Sequence, residues 1–199
     1  MNTKQETVET YNRTASQMAE KFRGIGARIS DIKKAFSIIN KSKPSVLEIG
    51  CGDGRDANEI IKYTDKYLGI DISASMIELA QAHVAEAAFE IADVETYTFP
   101  VGLDIIFSFA SLLHSDKDAV TDILHRAYSN LNQNGIFFIS LKRENYQSKV
   151  KEDEFGTRTF YFYQPTDIKG ILDNKYKVIF EEEQSFLNQD WFTIILQKQ

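Results

Sequence analysis

The hydrophobic positions of this chain change period as it is read from one end to the other. Up to residue 40 they recur at helical spacing. Tyr11, Ala15, Met18 and Phe22 fall at i, i+4, i+7 and i+11, one apolar stripe. Gly24 and Gly26 break that helix, and Ile29, Ile32, Phe36 and Ile39 mark a second over about Arg28 to Asn40. Lys41-Ser42-Lys43-Pro44 reads as a linker. From there short apolar runs alternate with helical stretches. Val46, Leu47 and Ile49 form a buried strand, Gly50 to Gly54 a tight turn, and Arg55 to Lys62 a helix. Tyr67 to Ile70 is a second strand ending in Asp71, and Ser73 caps a helix from about Ala74 to Ala85. Ala88 to Ile91 is a third strand, leading through Ala92-Asp93-Val94 to Phe99-Pro100. Leu103 to Phe109 is apolar at positions of both faces, as a central parallel strand is.

A helix from Asp116 to about Leu131, a turn at Asn134-Gly135 and a strand from Ile136 to Leu141 follow. Lys142 to Lys151 is charged and reads as an irregular insert, and Thr157 to Tyr163 alternates as a short strand. A helix runs from Gln164 to about Asp173. Tyr176 to Phe186 and Trp191 to Gln197 form a hairpin joined by Leu187-Asn188-Gln189-Asp190. Strands alternating with helices predict an α/β fold with a doubly wound parallel sheet. Ligands of such sheets bind outside the carboxyl ends of the strands, where strand order reverses. Gly50 to Gly54, Asp71, Asp93 and Ala110 to His114 all fall at such ends.

The glycine turn narrows the ligand. Glycines lack a Cβ, so a ligand can lie against the backbone, and the helix start offers free N–H donors. A dinucleotide fingerprint needs G-x-G-x-x-G, but the third glycine position holds Arg55. The spacing is G-x-G-x-G, with Glu48 two residues ahead. A carboxylate there suits an ammonium or sulfonium better than a pyrophosphate. Asp71, 21 positions after Gly50 at the end of the second strand, is placed to accept from both ribose hydroxyls.

Val46 to Asp56, with Gly69-Ile70-Asp71-Ile72-Ser73, resembles the first two motifs of the class I S-adenosylmethionine-dependent methyltransferases. The resemblance implies a Rossmann-like, seven-stranded, mostly parallel sheet with an antiparallel last strand. It implies S-adenosylmethionine as methyl donor and S-adenosylhomocysteine as product. Glu48, Gly50, Cys51, Gly52, Gly54 and Arg55 would surround the donor from the turn. Asp71 and Ile72 would hold the ribose, and Asp93 and Val94 would clamp the adenine. Met76 would pack beside the adenine, although a methionine on a helix also reads as plain core. Phe109, Ala110 and Ser111 would lie beside the transferred methyl. The Tyr11-x-x-x-Ala15 segment resembles a lid over the cofactor, within a helical cap over 1–43 that precedes a core over 44–199. Two helices that cover the sheet describe the same residues equally well.

Acceptor signals are sparse. The fourth strand end lacks the (Asp/Asn)-Pro-Pro-(Tyr/Phe) tetrad of amide and adenine methylation and the Pro-Cys pair of cytosine methylation. Its Leu112-Leu113-His114 resembles enzymes that methylate small molecules, by in-line displacement. His114 is a candidate base, or else the residue that orders its loop. Arg143, Arg158, Tyr161 and Tyr163 are candidates for the acceptor pocket, and each also reads as an ordinary surface or core residue. His83 and His125 fall within helices, and no histidine has metal-ligand spacing.

Composition adds bounds. The 199 residues are 43% hydrophobic and 26% charged, the balance of one soluble domain. A net charge of −6 argues against a nucleic-acid partner. One cysteine allows no intramolecular disulfide and points to a cytoplasmic setting. A polar start without a secretory signal, and the absence of a long apolar run, predict no membrane segment. Monomer and homodimer both stay open. Three rivals remain: a methyltransferase acting on protein or nucleic acid, a non-catalytic binder of S-adenosylmethionine, and a nicotinamide oxidoreductase.

Overall fold

The computed structural model describes residues 3–199; Met1 and Asn2, the start of the expected cap, lie outside them. Helices α1 (Thr3–Ile25) and α2 (Ile29–Ile38) lead into β1 (Val46–Ile49), α3 (Ala57–Ile60), β2 (Tyr67–Asp71) and α4 (Ala74–His83). Then come β3 (Ala88–Ile91), β4 (Leu103–Phe109), a single 3₁₀ turn at Leu112–His114, α5 (Lys117–Asn130) and β5 (Leu131–Lys142). A two-stranded sheet of β6 (Gln147–Asp153) and β7 (Gly156–Phe162) follows, then α6 (Pro165–Lys169), β8 (Tyr176–Phe186) and β9 (Gln189–Lys198).

Seven of these strands form one sheet, ordered β3-β2-β1-β4-β5-β9-β8. β1 to β5 run parallel, and β9 is antiparallel to both of its neighbours. This is the doubly wound sheet with an antiparallel last strand that the alternating pattern and the motifs lead one to expect. Strand order reverses between β1 and β4, and both strands are buried along their whole length. One face packs Leu47, Ile49, Ile106 and Ile139 under α5 and the β6–β7 pair. The other packs Val46, Phe107 and Phe138 under α2 and α3. On that face the Phe107 and Phe109 rings stack at 4.9 Å between centroids, and Phe138 meets Phe109 edge-on at 5.4 Å.

Several expected boundaries move. Gly24 lies inside α1, which ends one residue before Gly26 at φ +86°. α3 is four residues, not eight, with turns at Arg55-Asp56 and Ile61-Lys62 on either side, and the Asp56 carboxylate before it accepts from the Arg28 N–H and from Arg55. β5 begins at Leu131, so Asn134-Gly135 is an irregularity within the strand rather than a turn before it. The register shifts there, and Asn134 takes up the extra chain at φ +62°. The charged insert after Lys142 is a strand, β6, held by its ladder to β7. The β8–β9 connection is two residues, Leu187-Asn188, both at positive φ, as tight hairpins require.

Phe138, 0% exposed and wedged against Phe107 and Phe109, tests this core. Phe138→Ala is expected to cost about 3–5 kcal/mol of unfolding free energy in urea denaturation, through lost burial and the cavity left behind.

Candidate functional site

The carboxyl ends of β1, β2 and β4 open into a cavity of about 780 Å³. β1 ends at Gly50, whose φ of +70° suits glycine; an added Cβ would stand 2.2 Å from Ser111 Oγ on the neighbouring loop. Gly52, at φ +54°, has the opposite surroundings. A Cβ there would meet nothing within 4 Å, so the backbone itself is the cavity wall. Asp71 Oδ2 accepts from Gly52 N–H at 3.0 Å and Oδ1 from Ser73 N–H at 2.9 Å. An ionised carboxylate has about four acceptor positions, so capacity remains for ligand hydroxyls. Burial raises the Asp71 pKa, and these N–H groups, with that of Ile72, oppose the rise. Ala110 occupies the left-handed region at φ +57° directly after β4, strain stored on the cavity wall.

α1 closes the cavity from above. Lys4 near its start binds Asp93 at 2.7 Å and Glu95 at 2.6 Å, and Arg23 near its end binds Asp53 at 2.5 Å. Between them Tyr11 reaches His114. His114 Nδ1 lies 2.6 Å from the Thr159 carbonyl, which can only accept, so Nδ1 carries the proton. Nε2 therefore accepts from the Tyr11 hydroxyl at 3.0 Å. Burial lowers the His114 pKa to about 4, with the Arg158 and Lys142 charges adding and the Thr159 carbonyl opposing. The ring is neutral at physiological pH.

The structure brings most of the expected residues to this cavity: Tyr11, Gly50, Cys51, Gly52 and Arg55; Asp71, Ile72, Met76, Asp93 and Val94; Phe109, Ala110, Ser111 and His114; Arg158 and Tyr161. Met76 also packs with Ala15, Met18 and Phe155 between α4 and α1. Asp93 already accepts from Lys4 and from the Glu95 N–H.

Four residues lie elsewhere. Glu48 is buried beneath the turn, where Oε2 accepts from the Tyr67 hydroxyl at 2.5 Å. Burial, with the Asp56 charge, pushes its pKa up to about 8, and the Tyr67 bond opposes the rise. Gly54, at φ +77°, packs on α4; a Cβ there would come within 3.3 Å of Ala80 and Val84. Arg143 pairs with Glu183 and Asp190, each at 3.3 Å, away from the cavity. Tyr163 is fully buried and donates to the Ser115 carbonyl at 2.6 Å. Conversely, Arg28, Lys142, Phe160 and Trp191 line the cavity without having been singled out. Among the described residues no three His, Cys, Asp or Glu side chains are grouped to hold a metal, and no helix is long and apolar enough to cross a membrane.

Comparison with known proteins agrees with this geometry. Residues 46–135 match the family model of a methyltransferase domain. The chain is 28% identical to malonyl-[acyl-carrier protein] O-methyltransferase 2 of Ilyobacter polytropus, the match covering 89% of this chain and 68% of that one. It is 28% identical to the ubiquinone biosynthesis O-methyltransferase of Hydrogenovibrio crunogenus over 61% of this chain, and spans about half (51%) of that protein. The solved DhpI–SAH complex superposes with a TM-score of 0.75 at 17% identity, covering 98% of this chain and 97% of that one. The residues present fit S-adenosylmethionine: a glycine wall without side chains, and a partly satisfied carboxylate at the end of β2. Asp71→Ala is expected to weaken S-adenosylhomocysteine binding in calorimetric titration by about 1–3 kcal/mol, because two ribose hydroxyls lose their acceptor. Unchanged affinity would remove Asp71 from the site.

Proposed function

We propose that this chain is a class I S-adenosylmethionine-dependent methyltransferase, a reading supported by its sheet topology and by the methyltransferase domain matched over residues 46–135, and that it transfers the methyl group to a small-molecule acceptor. The observation that carries this reading is the roof of the cavity. α1, the β6–β7 pair and the tip of the β8–β9 hairpin all contribute lining residues, among them Val8, Phe155, Phe160 and Phe186. A cleft of about 780 Å³ beneath this roof suits a cofactor with a compact acceptor better than it suits a folded chain.

When bound, the cofactor supplies a methyl group on a sulfonium sulfur, an electrophile that carries its own leaving group. The protein's own residues then hold the partners in line and manage the proton. The glycine wall and Asp71 position the donor. Phe109, Phe160 and Trp191 limit water around the acceptor. Tyr11 donates its proton to His114, so its oxygen keeps lone pairs with which to accept from an O–H or N–H of the acceptor. The acceptor proton passes to the Tyr11 oxygen as the Tyr11 proton passes to His114 Nε2, while Nδ1–H stays on the Thr159 carbonyl. A ring whose pKa is about 4 is too weak a base to ionise the acceptor beforehand. Proton transfer therefore accompanies methyl transfer, as the acceptor atom becomes acidic.

Two outcomes follow. Tyr11→Phe should lower kcat by roughly 10²-fold, more than it lowers cofactor affinity. The pH profile of kcat should show no inflection near 6.5, the ordinary histidine value, because His114 already titrates well below it. The acceptor class is tested by incubating the protein with labelled S-adenosylmethionine and a cell extract split by ultrafiltration. Label in the small-molecule fraction supports the proposal; label confined to protein or nucleic acid overturns it.

A further inference from the structure

Most of the cations that line the cavity are matched to carboxylates. Lys4 meets Asp93 and Glu95, Arg55 meets Asp56, and Arg158 meets Asp153. Arg28 stands 3.8 Å from Asp31. Lys142 is the exception: its ammonium makes no ion pair or hydrogen bond with any described residue. It sits 3.9 Å from the centroid of the Phe160 ring and 5.9 Å from that of Trp191. Lys142 is half-buried, and cation–π contact replaces only part of the hydration that its ammonium gives up beside these rings.

Two more donors near Lys142 lack an acceptor. Trp191 lies opposite Lys142 in the β5–β9 ladder, and its Nε1–H is buried with no partner. Arg158, 6% exposed, leaves its Nε–H buried and unpaired while its outer nitrogen is taken by Asp153. Both residues line the cavity, and the Arg158 guanidinium and the Lys142 ammonium flank the same Phe160 ring. One wall therefore carries one uncompensated positive charge and a surplus of N–H donors. Buried donors are normally satisfied, so this surplus asks for acceptor atoms from a ligand.

We propose that the methyl acceptor carries a carboxylate and that Lys142 holds it, with Trp191 and Arg158 forming the donor-rich wall around it. This rests on the small-molecule reading above. A monoanion matches the single unpaired charge. A phosphate would call for an arginine fork with both nitrogens open, and Asp153 already holds one outer nitrogen of Arg158. Lys142 is a positioning residue here, since it anchors the acceptor rather than the reacting atoms.

The electrostatics give the proposal a pH signature. Burial lowers the Lys142 pKa to about 8; Lys151 of β6 and Arg158 of β7 add to the fall, and Asp153 of β6 and Glu144 after β5 oppose it. An anion restores the ammonium, so carboxylate binding should take up protons and weaken as pH rises through about 8.

The test uses the whole chain loaded with S-adenosylhomocysteine and three matched pairs of probes: benzoate and benzamide, indole-3-carboxylate and its carboxamide, hexanoate and hexanamide. Titration at neutral pH should show at least one carboxylate binding tenfold or more tightly than its amide. Lys142→Met should remove that preference while S-adenosylhomocysteine still binds, and Lys142→Arg should restore part of it. The proposal is overturned if no carboxylate binds, if amides bind as well, or if Lys142→Met keeps the preference. Binding of amides alone would sink the anion site while leaving a small-molecule acceptor standing. Methyl label found only in macromolecules would instead remove the small-molecule reading itself.

Discussion

The reversal of strand order between β1 and β4 is the constraint on which the site depends. Chains leaving the carboxyl ends of these adjacent strands turn to opposite faces of the sheet, and the gap between them cannot be filled by either connection. The loops must therefore make the floor of a crevice from backbone alone. Gly50 lets the β1 loop close down on Ser111 of the β4 loop, and Gly52 turns bare backbone toward the ligand. Ala110 accepts a left-handed conformation at the same edge. The buried strands hold these loops rigid, since β4 is packed on both faces by aromatic and branched side chains.

The upper half of the site is held differently. α1 lies across the crevice, fixed near each end by charge pairs to loops that themselves belong to the site. Asp53 is nearly buried whereas its partner Arg23 is half exposed, and Lys4 shares two carboxylates. Partly solvated pairs of this kind contribute modestly to stability. They fix where the helix sits rather than how stable the fold is. The Tyr11–His114 bond lies between these anchors, so the position of α1 and the orientation of the imidazole are set together.

How much of this could be read from residue order varies by element. The buried strands announced themselves as apolar runs, and the reach of Asp71 followed from its place at a strand end. β6 was not legible, because Gln147 to Asp153 carries one hydrophobic residue, Val150, and that one is exposed. Its strand character comes from backbone pairing with β7. Gly54 looks identical to Gly50 and Gly52 in the motif, and only the packing of α4 reveals that it serves a helix contact. The position of Glu48 was not legible for a related reason: in a strand buried on both faces, a polar side chain can point into the core, here at Tyr67. Lys142 follows the last apolar residue of β5 and resembles the start of a loop. Its surroundings arise from β7 and β9, far along the chain.

The antiparallel β5–β9 ladder makes the two ends of that wall unequal in their tolerance of insertions and deletions. Lys142 faces Trp191 only because the ladder runs without a break from Ile136–Gln197 to that pair. Loss of one residue inside β9 would send alternate side chains to the other face of the sheet and take the indole out of the cavity, with the backbone bonds largely re-formed. A residue added at the Leu187-Asn188 tip would leave the register untouched. Natural variation in length among proteins with this arrangement should therefore collect at the hairpin tip, and the stretch from Trp191 to Gln197 should vary by substitution alone.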